Sequence, residues 1–148
     1  MRAVIQKVSH AQVSVDGEIR GKIGKGFLVL LGIVDEDTDD DLKYMVKKIT
    51  QMRIFEDEAN KMNLALKDVG GSLLVISQFT LFADTHKGNR PSFVKAGAPD
   101  FSKAMYLKFI KACRDLGYEC EEGEFGAHMA VSLLNDGPVT IILDSKDR

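Results

Sequence analysis

The chain has 148 residues, the size of one domain, with 45% hydrophobic and 28% charged residues, a balance that fits a folded core and excludes a disordered tail or a collagen-like repeat. No apolar run approaches the ~20 residues a membrane span needs. Met1 to Val8 also lacks the hydrophobic segment and cleavage site of a signal peptide, so a cytoplasmic location is expected. A net charge of −2 argues against a broad electrostatic grip on nucleic acid, although a ligand touching one short RNA end needs only a local basic rim.

Val4 to Val8 and Ala11 to Val15 read as two short β-branched strands, and Asp16-Gly17 supplies a hairpin turn before Glu18 to Ile23. The nearly continuous apolar run Phe27 to Val34 is the pattern of a strand covered on both faces. Thr38 followed three residues later by Asp41 predicts a capped helix start, and Leu42, Met45, Val46, Ile49 and Met52 then share one face. Leu73 to Ile76 is a further buried strand, introduced by Gly70-Gly71. Asp100 is placed to cap a second helix with the stripe Phe101, Met105, Phe109, Cys113 and Leu116, stopped by Gly117. His128 to Leu134 alternates towards the turn signal Asn135-Asp136-Gly137-Pro138, after which Val139 to Leu143 reads as a last strand.

Strands in runs with helices between them predict a single α+β domain over residues 1–148. Largely antiparallel or mixed β-sheets would carry two main helices packed on them, a layered ββα sandwich. The helical Met and aromatic stripes are core, not a cofactor box. Cys113 and Cys120 match no zinc spacing and read as small buried hydrophobes. The histidines His10, His86 and His128 lie far apart in no ligand pattern, so no metal and no cofactor are expected. Bases cluster at Lys43, Lys47 and Lys48, at Lys87 and Arg90, and along Lys103, Lys108, Lys111 and Arg114; acids cluster at Asp35 to Asp41, Glu56 to Glu58 and Glu119 to Glu124.

Three segments have residue types that folding alone does not require. Ser77-Gln78-Phe79-Thr80-Leu81 ends a buried strand with hydroxyls, an amide and exposed backbone N–H groups, the inventory for holding a carbonyl oxygen as it becomes an oxyanion. The same residues also satisfy backbone groups in tight bends, which on spacing alone is the commoner use. No histidine or carboxylate stands beside Thr80 in sequence to act as its base. In Asn135-Asp136-Gly137-Pro138-Val139-Thr140, a residue without Cβ precedes one without an N–H, which leaves carbonyls free to face a ligand; a plain turn between strands has the same composition. Asp84 to Phe93 is a polar, basic loop ending in an aromatic, suited to phosphates or to water.

From end to end the chain resembles the D-aminoacyl-tRNA deacylases, formerly D-tyrosyl-tRNA deacylases. Met1 to Val8 looks like the family's first strand and Val13-Ser14-Val15-Asp16-Gly17 like its first hairpin. Ser77 to Leu81 and Asn135 to Thr140 look like its two signature motifs, and Lys87 to Phe93 matches the intervening loop. It departs at His10 and His86, where many relatives carry arginine, which thins the basic rim.

The resemblance implies a homodimer that acts on the 3′ end of aminoacyl-tRNA. It would hydrolyse the ester of D-aminoacyl-tRNA, and of glycyl-tRNA, without metal, cofactor or membrane. It places the carbonyl near Ser77, Gln78, Phe79 and Thr80. It makes Gly137-Pro138 a cis dipeptide that enters the partner's pocket and rejects L-residues by clash, which is chiral proofreading. Two mechanisms compete: attack by the Thr80 hydroxyl, or a water oriented by the neighbouring ribose 2′-OH with Thr80 only positioning substrate. The second is favoured, because an unassisted threonine hydroxyl is a weak nucleophile. Other readings are a non-catalytic RNA-end or D-amino-acid binding module and an esterase of small molecules.

Overall fold

The first strand organises the molecule. In the computed structural model, which describes residues 1–148, β1 (Arg2–Val15) is one strand and not two. Nothing between Val8 and Ala11 breaks it, because Ser9 and His10 face solvent and a register irregularity absorbs the kink. On one edge it pairs antiparallel with β3 (Gly26–Gly32) through residues 2–8 and with β2 (Glu18–Ile23) through residues 11–15. Asp16 and Gly17 make the β1–β2 turn with φ of 50° and 79°, the left-handed geometry that Asp-Gly tolerates.

The sheet then becomes parallel. β3 pairs with β6 (Ser72–Ser77), and β6 with β7 (Cys120–Glu122). β2 bends round towards β7, where a side chain at Gly21 would meet the Glu122 carbonyl at 2.8 Å, so the sheet nearly closes. A small hairpin, β4 (Phe55–Glu56) with β5 (Met62–Leu64), stands apart. The domain is thus α+β with a mixed sheet, as the element pattern predicts.

β8 (Ala130–Asp144) covers the other edge of β1 along its whole length. Here the sequence reading of two strands about a turn is corrected. Both halves of β8 pair with β1 in the same antiparallel sense, so the chain never reverses. Val8 pairs with Asn135 and Gln6 with Thr140, and residues 136–139 bulge out between them. The outer edge of β8 pairs with no strand, and Leu134 and Ile142 lie exposed on it.

α1 (Asp39–Gln51) and α2 (Pro99–Asp115) pack on the sheet. The Thr38 N–H donates to the Asp41 carboxylate at 2.8 Å, the expected helix start. Leu42, Met45, Val46 and Ile49 are buried, each contributing roughly 1.5–3 kcal/mol against exposure. α2 starts two residues earlier than expected, with Pro99 in its first turn and Ala98 in place of Asp100 as the cap, because proline's missing N–H costs nothing there. Met105, Phe109 and Cys113 are core as read, whereas Leu116 is 61% exposed because the helix ends at it. Gly117 follows at φ 91° and stops the helix. Ala3 and Ile5 of β1 belong to the larger core under the helices, and Val8, Ala11 and Val13 to a smaller one with Leu28, Leu74 and Ile76. No helix is long and apolar enough to cross a membrane.

Candidate active site

β6 carries the first motif out of the core. Leu73 to Ile76 are buried between β3 and β7, and Tyr106 of α2 donates its hydroxyl to the Val75 carbonyl at 2.7 Å, which fixes the strand. Burial pushes the Tyr106 hydroxyl well above its ordinary pKa, so it stays a donor. Beyond Ser77 the chain turns. The Gln78 N–H donates to the Leu31 carbonyl at 2.8 Å, and Phe79–Phe82 form a single 3-10 turn. The N–H groups that open a helical turn have no partner inside it, so those of Phe79 and Thr80 start without one.

Two features hold this turn in place. Gly32 lets it lie against β3, since a Cβ there would meet the Phe82 ring at 2.9 Å and the Gln78 carbonyl at 3.1 Å. Arg2 donates to the Leu81 carbonyl at 2.9 Å, lies 4.7 Å from the Phe82 ring centre and is paired with Asp144 at 3.0 Å. Burial opposes the Asp144 charge, but hydrogen bonds from the Lys146 N–H and from Arg2 outweigh it and hold the carboxyl below its usual range.

The Thr80 hydroxyl accepts a hydrogen bond from the Gln78 side-chain amide. Its contact is therefore a donor and not a base. The nearest acid and imidazole in sequence are occupied with each other: Asp84 takes the His86 N–H at 2.9 Å and the His86 ring at 2.6 Å, and pairs with Lys95 at 3.3 Å. These contacts, the His86 N–H first, keep Asp84 ionised below the ordinary carboxylate range.

Beside the turn lies a cavity of about 520 Å³. Its floor is apolar, from Leu31, Ile33 and Ile76, and Ser77, Gln78 and Phe79 form one wall. Phe93 and the Gly97 segment form another. Gly97 donates to the Ile33 carbonyl at 2.9 Å and approaches too closely for any Cβ, which would lie 2.7 Å from the Ser102 hydroxyl. Phe125, His128 and Met129 close the far side. Ser77, Gln78 and Phe79 thus meet at one cavity, while Thr80 stands exposed just outside its lining.

Gly137 and Pro138 do not line this cavity. They sit in the β8 bulge, are exposed, and are joined by a cis peptide bond, the geometry the family resemblance implies. Gly137 has φ 138°, and a Cβ on it would lie 2.7 Å from the Val139 side chain. The Asn135 side chain closes the bulge, accepting from the Val139 N–H and donating to the Thr140 hydroxyl, both at 3.1 Å. Lys7, itself buried, reaches Asp136 at 3.8 Å and lies 5.7 Å from the Phe55 ring centre.

Sequence reasoning missed Arg2, Lys7 and Asn135 as supports of the two motifs. Lys7 gave little signal, since it stands between Gln6 and Val8 with Ser9 two residues on; Arg2 gave none, because its partners are 79 and 142 residues away. Both cysteines are free and buried, as read. No group of three or more His, Cys, Asp or Glu side chains is gathered to hold a metal.

Residues 4–144 match the family described as D-Tyr-tRNA(Tyr) deacylase. A D-aminoacyl-tRNA deacylase of Fusobacterium nucleatum is 59% identical over 147 residues, covering 99% of this chain and 97% of its own length. One from Thermosipho africanus is 54% identical over 146 residues, covering 99% and 98%. A solved structure described as c-Myc DNA Unwinding Element Binding Protein superposes with a TM-score of 0.91 at 42% identity, over 97% of this chain and 98% of that one. A second, described as a probable eukaryotic D-amino acid tRNA deacylase, has a TM-score of 0.81 at 20% identity over 96% and 97%, a likeness of fold.

Proposed function

The chain belongs to the D-Tyr-tRNA(Tyr) deacylase family of hydrolases, and from that premise we propose that it hydrolyses the ester between a D-amino acid, or glycine, and the terminal ribose of tRNA. The observation that carries this reading is the 3-10 turn at the mouth of the cavity. The Phe79 and Thr80 N–H groups start without helical partners, and the Gln78 amide and Thr80 hydroxyl lie on the same turn, a set of donors suited to a tetrahedral oxyanion. The cavity is within the size range of small-molecule sites and would take the terminal adenosine.

Water is the nucleophile in this proposal. Its oxygen bonds to the carbonyl carbon, the bond from that carbon to the ribose O3′ breaks, and the leaving O3′ takes a proton. The vicinal 2′-OH orients the water. The Thr80 hydroxyl, held by the Gln78 amide, positions substrate and does not attack it.

Handedness comes from Gly137 and Pro138. Because they stand away from their own chain's cavity, the reading needs a second copy. The unpaired outer edge of β8, with Leu134 and Ile142 exposed, supports a homodimer in which each bulge enters the other subunit's pocket. Backbone carbonyls there would take the substrate's α-amino group and leave no room for an L side chain.

The absence of a base beside Thr80, with the solved relative described as binding a DNA element, favours as second reading a module that binds a nucleic-acid end without cutting it. Incubation with charged D-tyrosyl-tRNA separates the two. A hydrolase releases D-tyrosine and intact tRNA, a binding module protects the ester, and an esterase of small molecules cleaves D-tyrosine methyl ester equally well.

A further inference from the structure

At the rim of the cavity, the loop after the 3-10 turn carries the walls formed by Phe79 and Phe93 outward to a surface that the chemistry above does not use. Asp84 and Ser92 close the loop at its base with two backbone hydrogen bonds of 2.8 Å each. Directly beyond Ser92, the Phe93 ring meets the Phe79 ring edge to face, with centroids 5.2 Å apart. Such a pair is ordinarily a core feature, yet Phe79 is 57% exposed and the adjoining Val94 86%. The apolar surface therefore continues from the cavity out over its rim.

The loop's charges are arranged unevenly. His86 and Lys95 are both spent on Asp84. Lys87 and Arg90, on the exposed tip, pair with no carboxylate and donate to no carbonyl. Lys108, Lys111 and Arg114 are neutralised by Asp39, Asp115 and Glu122, and Lys43, Lys47 and Lys48 of α1, though unpaired, have no aromatic pair on their helix. An aromatic platform beside two uncompensated cations is how proteins hold single-stranded nucleic acid, with the bases stacked and the phosphates paired.

Resting on the deacylase reading above, we propose that Phe79 and Phe93 with Lys87 and Arg90 form a second nucleotide subsite, which takes the base and phosphate of the unpaired nucleotide preceding the terminal adenosine. The adenosine occupies the cavity, the penultimate cytosine lies over exposed Phe79 where it meets half-buried Phe93 at the rim, and the phosphates beyond it run past the loop tip. This gives the enzyme a grip on the RNA end that is independent of the tRNA body, which suits a chain with net charge −2.

The test compares D-tyrosyl-adenosine with D-tyrosyl-cytidylyl-adenosine, and a third substrate in which an abasic ribose replaces the cytidine. The added nucleotide should raise kcat/KM about tenfold or more, and the abasic form should lose most of that gain. In Lys87→Ala/Arg90→Ala, two exposed and unpaired positions, the gain from the added nucleotide should shrink. The salt dependence of log kcat/KM for the dinucleotide should flatten by up to ~0.7 per lost phosphate contact. Equal kcat/KM for the mono- and dinucleotide substrates, or a gain untouched by both the abasic and the double substitution, overturns the subsite while leaving the deacylase reading intact. If none of the three substrates is hydrolysed, and D-tyrosyl-tRNA is not hydrolysed either, both readings fall.

Discussion

The Lys7 ammonium lies 3.8 Å from the Asp136 carboxylate and joins the buried middle of β1 to the only stretch where β8 leaves it. Two partners of very different exposure meet here, since the Lys7 side chain is buried and that of Asp136 is half exposed. Removing one partner is therefore not equivalent to removing the other. Asp136→Ala leaves a buried cation unpaired and should cost about 1–3 kcal/mol. Lys7→Met keeps the volume and removes the charge, so it should cost less. Denaturant unfolding of both variants checks the order. In the deacylation assay, Lys7→Met should lower kcat/KM about tenfold in a folded protein, because the bulge loses its tether to β1.

Thr80 accepts from the Gln78 amide and touches no base. Thr80→Ala should keep the deacylation rate within about tenfold of the parent, whereas a 2′-deoxy terminal adenosine should lower it by at least about a hundredfold, some 2.7 kcal/mol in the barrier. An acyl adduct trapped on Thr80 would sink the water route.

His86 meets the single carboxylate of Asp84, and none of His10, His86 and His128 belongs to a group of three or more ligand side chains. Exhaustive chelation should leave the deacylation rate unchanged. Loss restored by zinc would reveal a site assembled on substrate binding.

Asp41 is the most strongly shifted carboxylate on the helix side. Burial works against its charge, but hydrogen bonds from Lys146, Ser145 and Thr38 prevail and hold it far below the ordinary range. Because its folded pKa is depressed, its contribution is fully present above the ~3.9 of an unfolded aspartate and disappears as pH falls through the folded value. Asp41→Asn should therefore destabilise by about 2 kcal/mol at pH 7. The gap between variant and parent should stay constant down to pH ~4 and close only below it, as read from urea midpoints across pH.

Much of this was legible in the sequence, for physical reasons that can be named. Phe27 to Val34 and Leu42 to Ile49 announced a covered strand and an amphipathic helix because burial itself sets those periods. Ser77 to Thr80 could have been an ordinary bend on spacing alone, and only the resemblance of two motifs in order made them a site. The continuity of β1 and of β8 was not legible: local turn signals at Gly137-Pro138 predict a reversal, and only pairing with a strand 130 residues away overrides them. Nor could spacing tell that Thr80 would face a donor, or that Gly137 and Pro138 would stand away from the cavity of Ser77, Gln78 and Phe79. Those facts are properties of tertiary approach.

Separation of the two motifs within one chain makes a mixing experiment informative. Gly137→Val should strain the backbone at φ 138° and bring the new Cβ within 2.7 Å of the Val139 side chain, lowering hydrolysis of D-aminoacyl and glycyl substrates alike by about a hundredfold. Ser77→Phe should fill the cavity at the other motif, which Ser77 lines. If each pocket is built from two subunits, mixed heterodimers of the two variants recover activity at one of their two sites. No recovery in verified heterodimers would show that each chain works alone.

Matched D- and L-tyrosyl-tRNA separate a hydrolase that selects by handedness from a binding module and from an unselective esterase. Single-turnover rates on the two substrates, with enzyme in excess, remove differences in product release. The D-ester should be hydrolysed at least about a hundredfold faster, a difference of some 2.7 kcal/mol, with glycyl-tRNA between the two. Equal rates on D- and L-tyrosyl-tRNA, or protection of both esters, would contradict the account.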